Sequence, residues 1–137
     1  MGKILAIDFG TKRCGLAITD DLQIIASPLG FQDSAVIFTF LSQLLLRENI
    51  ECIVIGEPRR LNYEMSATTE MVHKFGDRLQ KLHPHIAIKY VDERLTSKIA
   101  QSTLLDSGIG KKKRREKGRL DAISAALILQ TYLESPH

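Results

Sequence analysis

The chain has 137 residues, of which 44% are hydrophobic and 26% charged, and this length and composition are typical of one globular domain. No stretch approaches the roughly 18 apolar residues of a membrane span, and Met1-Gly2-Lys3 leads directly into a strand pattern without a signal peptide. These features exclude a disordered, fibrous or membrane protein and predict a single cytoplasmic domain over residues 1–137, with no membrane partner.

The net charge of +3 is unevenly distributed along the chain. Residues 111–119 (KKKRREKGR), which we name the basic segment, hold seven basic residues and one acid. They leave 12 basic and 15 acidic residues elsewhere. A concentrated positive segment is typical of a surface that binds a polyanion, although a solvated loop without a partner gives the same pattern.

The amino-terminal third predicts strands followed by a helix. Residues 3–9 and 14–19 are short apolar runs joined by a Gly-containing turn, which predicts a hairpin. Residues 23–27 predict a third strand that stops at Pro28. Apolar residues at three- and four-residue spacing predict a helix over 34–48.

The remaining sequence alternates strand and helix patterns. The predicted strands are 51–56 and 86–91, and the predicted helices are 67–82, 96–105 and 121–133, with the basic segment as a loop before the last helix. This order predicts an α/β domain built on a mixed five-stranded sheet with helices on both faces.

Two cysteines and four histidines offer no evident chemistry. Cys14 and Cys52 lie in apolar, strand-like runs rather than in a metal-binding spacing, which predicts reduced, buried thiols. The histidines also lack the spacing of metal ligands.

Three carboxylates stand where a charged group has little structural reason to be. Asp8 ends an apolar strand, Glu93 follows the end of another, and Asp121 opens an almost wholly apolar helix. Buried carboxylates are costly unless paired, hydrogen-bonded or bound to metal. If the sheet brings the three to one edge, Mg²⁺ or Mn²⁺ would relieve their mutual repulsion.

Each acid also has a structural explanation. Asp8 could form an Asx-turn before Gly10, Glu93 could pair with Arg94, and Asp121 could favour the helix macrodipole.

The order and spacing of three motifs resemble the YqgF (RuvX-like) family over essentially the whole chain. AIDFGTKRCGLA is similar to the family's opening strand, Asp and basic turn, VDERLTS to its DER-T-[ST] segment, and GRLDAISAALIL to its last helix. The resemblance implies an RNase H-like fold, shared with Holliday-junction resolvases, and nuclease processing of the 5′ end of pre-16S rRNA.

The resemblance also implies roles for individual residues. Asp8, Glu93 and Asp121 become metal-binding catalytic acids for Mg²⁺ or Mn²⁺. Arg13, Arg94 and Thr96 become candidates for contacts to the nucleic-acid backbone. Independently of the resemblance, the charge of the basic segment predicts backbone contacts by Lys111, Lys112, Lys113, Arg114 and Arg115.

The sequence departs from the family after the middle strand, where the common GLP reads Gly56-Glu57-Pro58. Glu57 is therefore a candidate fourth acid, with an exposed loop acid as the alternative. Asp92 is another candidate, but it and Glu93 are neighbours in a strand and point in opposite directions, so only one should face the site.

Three other functions fit parts of the sequence. Branched DNA could replace structured RNA as the substrate, because resolution of a Holliday junction uses the same acids. A nucleic-acid-binding module that retains the fold would bind without cutting. The Asp8-to-Gly15 segment also resembles the first phosphate motif of actin-like ATPases, but those proteins need two such domains. The sequence leaves the oligomeric state open.

Overall fold

The computed structural model describes residues 2–57, 67–92 and 117–134. Within these ranges the strands are β1 (Lys3–Phe9), β2 (Arg13–Thr19), β3 (Ala26–Asp33), β4 (Ile50–Glu57) and β5 (Ala87–Asp92). They form one mixed sheet in the order β3-β2-β1-β4-β5, with β2 antiparallel to β1 and β3, and with β1, β4 and β5 parallel. The predicted mixed five-stranded sheet is confirmed.

Three α-helices are described: α1 (Ile37–Arg47), α2 (Ala67–Leu82) and α3 (Lys117–Glu134). A short 3₁₀ turn, Ser34–Val36, precedes α1. The strand and helix patterns were correctly placed for β1, β2, β4, β5, α1 and α2, and each bound lies within three residues of its predicted position. None of the helices in the described ranges is long and apolar enough to cross a membrane.

The two faces of the sheet are covered by different helices, as predicted. Strand side chains alternate between faces, so every second residue belongs to the same core. The core beneath α1 and α2 contains Leu5, Ile7, Ile53, Ile55, Ile37, Leu41, Phe75 and Leu79. The core beneath α3 contains Ile4, Ala6, Cys52, Val54, Val91, Ala125, Ile128 and Leu129. We call these two sides the α1/α2 face and the α3 face.

The direction of α3 across the sheet follows from contacts at its last turns. The Tyr132 hydroxyl is hydrogen-bonded to the thiol of Cys52, which lies near the start of β4. The carboxyl-terminal end of α3 therefore lies at the amino-terminal edge of the parallel strands. Its first turns lie at the opposite edge, where β1 and β4 end.

The third strand was predicted, but its bounds were wrong. β3 does not stop at Pro28 but runs from Ala26 to Asp33, and its pairing with β2 shifts register between Leu16 and Ala17, opposite Gly30 and Pro28. Proline is tolerated in an edge strand and at a bulge, where the missing N–H is not needed. Gly30 has a φ of 124°, a conformation that glycine adopts without strain.

The start of the last helix was also predicted wrongly. α3 begins at Lys117, four residues before Asp121, so the end of the basic segment is helical rather than a loop. Lys and Arg are good helix formers, and their charge does not prevent a helix. The predicted helix over 96–105 and residues 111–116 lie outside the described residues. Cys14 and Cys52 are buried free thiols, as predicted.

Gly76 permits a close contact between α2 and β5. A Cβ at this position would lie 2.0 Å from the Tyr90 hydroxyl oxygen. We expect Gly76→Ala to lower the free energy of unfolding by about 1–2 kcal/mol, because the overlap outweighs the gain in helix propensity. Chemical denaturation measures the change.

The matched test repeats the substitution in a Tyr90→Phe background, which removes the clashing oxygen. The loss of unfolding free energy caused by Gly76→Ala should be smaller in the Tyr90→Phe background. An equal penalty in both backgrounds would show that Tyr90 is not its cause.

Candidate functional site

The parallel strands carry carboxylates to one edge of the sheet. Asp8 is the next-to-last residue of β1, and Glu57 and Asp92 are the last residues of β4 and β5. Glu57 and Asp92 are register partners. The carboxyl-terminal edge of parallel strands is the usual location of ligand sites in α/β sheets.

Asp8 is half-buried and lies on the α3 face. Its cross-strand partner in β2 is Gly15. On β4, the residue one step beyond the Ile7–Ile55 pair is Gly56. Asp8 is therefore flanked by a glycine on each neighbouring strand. At this level of the sheet, Asp8 is the only residue of β2, β1 and β4 that places a side chain on the α3 face.

The backbone of α3 brings Asp121 toward the same edge. Asp121 precedes the buried Ala125 by one helical turn, and it precedes Tyr132 by about 16 Å of helix. Asp8 lies about 13 Å along β1 from Ile4, which is the register partner of Cys52. Because Cys52 contacts Tyr132, the direction of α3 carries the backbone of Asp121 toward the edge of the sheet at which Asp8 lies, on the α3 face.

Glu57 and Asp92 lie on the opposite, α1/α2 face. Glu57 is buried, and one of its carboxylate oxygens lies 2.5 Å from Nε2 of His73 in α2. The His73 ring stacks on Tyr90, with ring centroids 4.3 Å apart. These positions give Glu57 a structural partner and do not support a role for Glu57 or Asp92 beside Asp8.

The Tyr90 hydroxyl completes this cluster. Burial, reinforced by the nearby carboxylates of Asp77 and Glu57, raises the pKa of Tyr90 above its ordinary value. The hydroxyl therefore stays protonated at neutral pH. Sequence reasoning missed His73, although its four-residue spacing from Thr69 and its three-residue spacing from Gly76 indicate that all three share one side of α2.

The other predicted site residues lie outside the described part of the chain. They are Glu93, Arg94, Thr96, Lys111, Lys112, Lys113, Arg114 and Arg115. Within the described residues, no three His, Cys, Asp or Glu side chains lie close enough together to hold a metal ion. Arg13 is the first residue of β2 and is half-buried beside the turn that follows Asp8.

The Glu57–His73 pair leads to a prediction about stability. Replacing His73 by Ala removes a partner of the buried Glu57 carboxylate, so we expect a loss of about 1–3 kcal/mol in unfolding free energy. His85→Ala, at an exposed position, is the matched control and should change stability little. Thermal and urea unfolding measure both changes.

Glu57→Gln tests whether Glu57 is a metal ligand. If Glu57 is only structural, the substitution should leave the affinity of the protein for Mg²⁺, measured by isothermal titration calorimetry, unchanged. A marked fall in that affinity would instead favour Glu57 as a ligand.

The sheet order, the helices on both faces and the acid at the end of the central strand define the RNase H-like fold. Two solved structures share it: Thermus thermophilus RuvC in complex with a Holliday junction substrate and RuvC of the same species. The first has a TM-score of 0.61 at 15% identity and covers 96% of this chain and 94% of its own. The second has a TM-score of 0.59 at 14% identity, and the match covers 95% of this chain and 94% of that RuvC chain. The predicted fold is confirmed.

Sequence comparison then identifies the family. Residues 2–135 match the family model described as "RuvX: Holliday junction resolvase", and the chain belongs to that family. A relative from Porphyromonas gingivalis is 48% identical over 136 residues, 99% of each chain, and one from Flavobacterium psychrophilum is 47% identical over 133 residues, 97% of each. Both are named "Putative pre-16S rRNA nuclease". The resemblance stated from the motifs is confirmed.

Proposed function

We propose that this chain is a metal-dependent endonuclease that hydrolyses phosphodiester bonds and processes the 5′ end of pre-16S rRNA in the cytoplasm. The observation that carries the proposal is the position of Asp8, between two glycines at the sheet edge that the first turns of α3 approach. The names of the relatives indicate the substrate.

Asp8, Glu93 and Asp121 are the residues that would hold Mg²⁺ or Mn²⁺. Carboxylate oxygens are the donors that these hard cations prefer, and the half-buried Asp8 offers such a carboxylate opposite Gly15 of β2. Asp92 lies on the face opposite to Asp8, so Glu93 rather than Asp92 is the acid proposed as a ligand. When bound, the metal supplies positive charge that lowers the pKa of a water and offsets the charge developing on the phosphate.

The residues of the chain would orient and bind the substrate. The acids fix the attacking water in line with the scissile bond, and Arg13, Arg94 and Thr96 bind the non-bridging phosphate oxygens. The water oxygen bonds to phosphorus as the bond from phosphorus to the 3′ oxygen breaks. The water loses a proton and the departing oxygen gains one, which leaves a 5′ phosphate and a 3′ hydroxyl.

A branched DNA substrate is the second candidate, because the matching family model is described as a Holliday junction resolvase. Symmetric cleavage of a four-way junction requires two active sites related by a twofold axis. A resolvase should therefore act as a dimer, whereas rRNA trimming needs only one site.

Direct competition between the two substrates tests the proposal. Purified protein is incubated with end-labelled 5′-extended pre-16S rRNA and with a four-way DNA junction, each with Mg²⁺, Mn²⁺ or EDTA. Metal-dependent cleavage of the rRNA alone supports the proposal. Paired, symmetric cuts in the junction would favour the resolvase, and binding without cleavage of either would favour a non-catalytic module.

A further inference from the structure

The turn between β1 and β2 is held by one residue from outside the hairpin. Ser34, directly after β3, donates its backbone N–H to the carbonyl oxygen of Lys12 at 2.9 Å. Its hydroxyl donates to the carbonyl oxygen of Gly10 at 2.6 Å. Ser34 thus contacts the backbone on both sides of Thr11.

Ser34 is half-buried, and its hydroxyl has a second neighbour. The thiol sulfur of the buried Cys14 lies 3.5 Å from the hydroxyl oxygen. Because the Ser34 proton goes to Gly10, the thiol is the donor in this contact. The hydroxyl therefore connects the end of β1, the start of β2 and the end of β3.

The turn itself is tight and carries charge. A Cβ at Gly10 would lie 2.5 Å from the carbonyl oxygen of Arg13, so the backbones of Gly10 and Arg13 approach each other closely here. Thr11 and Lys12 are exposed, and Arg13 follows at the first position of β2. These residues lie immediately beyond Asp8, at the same edge of the sheet.

We propose that Ser34 is a positioning residue for nucleic-acid binding: it fixes the Gly10–Lys12 backbone and so presents Lys12 and Arg13 to the substrate phosphates beside Asp8. This inference rests on the proposed function in that the ligand is taken to be nucleic acid. Asp8 itself is fixed by the β1–β2 pairing through Gly15 rather than by Ser34. Loss of the Ser34 hydroxyl should therefore affect binding more than the chemical step.

The first experiment measures substrate affinity. Removal of one hydrogen-bonding partner should raise the KM for the pre-16S rRNA substrate by roughly three- to tenfold in Ser34→Ala, while kcat and the Mg²⁺ requirement change less than about twofold. Ser34→Thr retains a hydroxyl and should restore most of the affinity. Ser27→Ala, at an exposed position near the other end of β3, is the matched control and should behave as the wild type.

A second variant perturbs the same turn without changing Ser34. Gly10→Ala introduces a Cβ against the Arg13 carbonyl and should produce the same rise in KM with an intact Ser34. Denaturation curves identify any variant that has lost stability as a whole. A fall in kcat with an unchanged KM, or full activity of Ser34→Ala, would overturn the inference.

Binding separates this inference from the proposed function. Fluorescence anisotropy with a labelled RNA hairpin bearing a single-stranded 5′ extension is measured in an Asp8→Asn background, with and without Ser34→Ala. Weaker binding by the double variant supports Ser34 even if the wild type cleaves nothing. Equal binding overturns the role of Ser34 even if the wild type is an active nuclease, and no binding by either protein overturns both.

Discussion

Replacement of Asp8 by Asn is expected to lower the cleavage rate by about two to three orders of magnitude, the scale seen when one preorganised charge-stabilising group is removed. Asn keeps the size of Asp8 but loses the negative charge that would bind the metal. Because Asp8 is only half-buried at the end of its strand, the fold should tolerate the change. Single-turnover cleavage of the rRNA substrate measures the rate without the contribution of product release.

Asp21→Asn provides a matched control for charge. Asp21 is an exposed acid in the turn that follows β2, at the opposite edge of the sheet, and its substitution changes the net charge equally. This variant should retain wild-type activity. Comparable activity of Asp8→Asn and the wild type would argue against metal binding at Asp8, and equal losses in both variants would point to a general effect of charge on substrate binding.

Sequence periodicity predicted the framework of the fold because buried elements have strong patterns. β1 and β4 are buried on both faces and read as continuous apolar runs, and α2 was predicted with its observed bounds. β3 was misread because it is an edge strand, most of whose residues are half-exposed or exposed, so that it has little hydrophobic pattern and accommodates Pro28. The start of α3 was misread because the charged residues before Asp121 were taken as a loop.

The site was only partly predictable for a related reason. The position of Asp8 follows from one strand, whereas the relation between Asp8 and the other acids depends on the register of three strands. That register puts Glu57 on the α1/α2 face against His73, a partner 16 residues away in the chain. Ser34 was missed because its contacts to Gly10 and Lys12 exist only once β3 has paired with β2.

The basic segment should control affinity rather than catalysis. Replacing Lys111, Lys112 and Lys113 by Gln is expected to raise the Kd for RNA by about 10- to 100-fold at physiological salt, because each lysine that neutralises a phosphate releases a counterion on binding. In a plot of log Kd against log salt concentration, the slope should fall by about 2 to 3. The cleavage rate at saturating RNA should remain near that of the wild type, because the proposed acids are intact.

A second triple variant separates local from overall charge. Arg47, Lys74 and Lys81 are exposed on α1 and α2, the helices that cover the face opposite to Asp8, and their replacement by Gln removes the same three charges. If nucleic acid binds at the Asp8 edge, this variant should retain nearly normal affinity and salt dependence. Equal losses in the two triple variants would mean that net charge alone attracts RNA, and no loss in the first would mean that the basic segment is a solvated loop. A loss of RNA affinity confined to the first variant would indicate that the basic segment and the Asp8 edge belong to one binding surface.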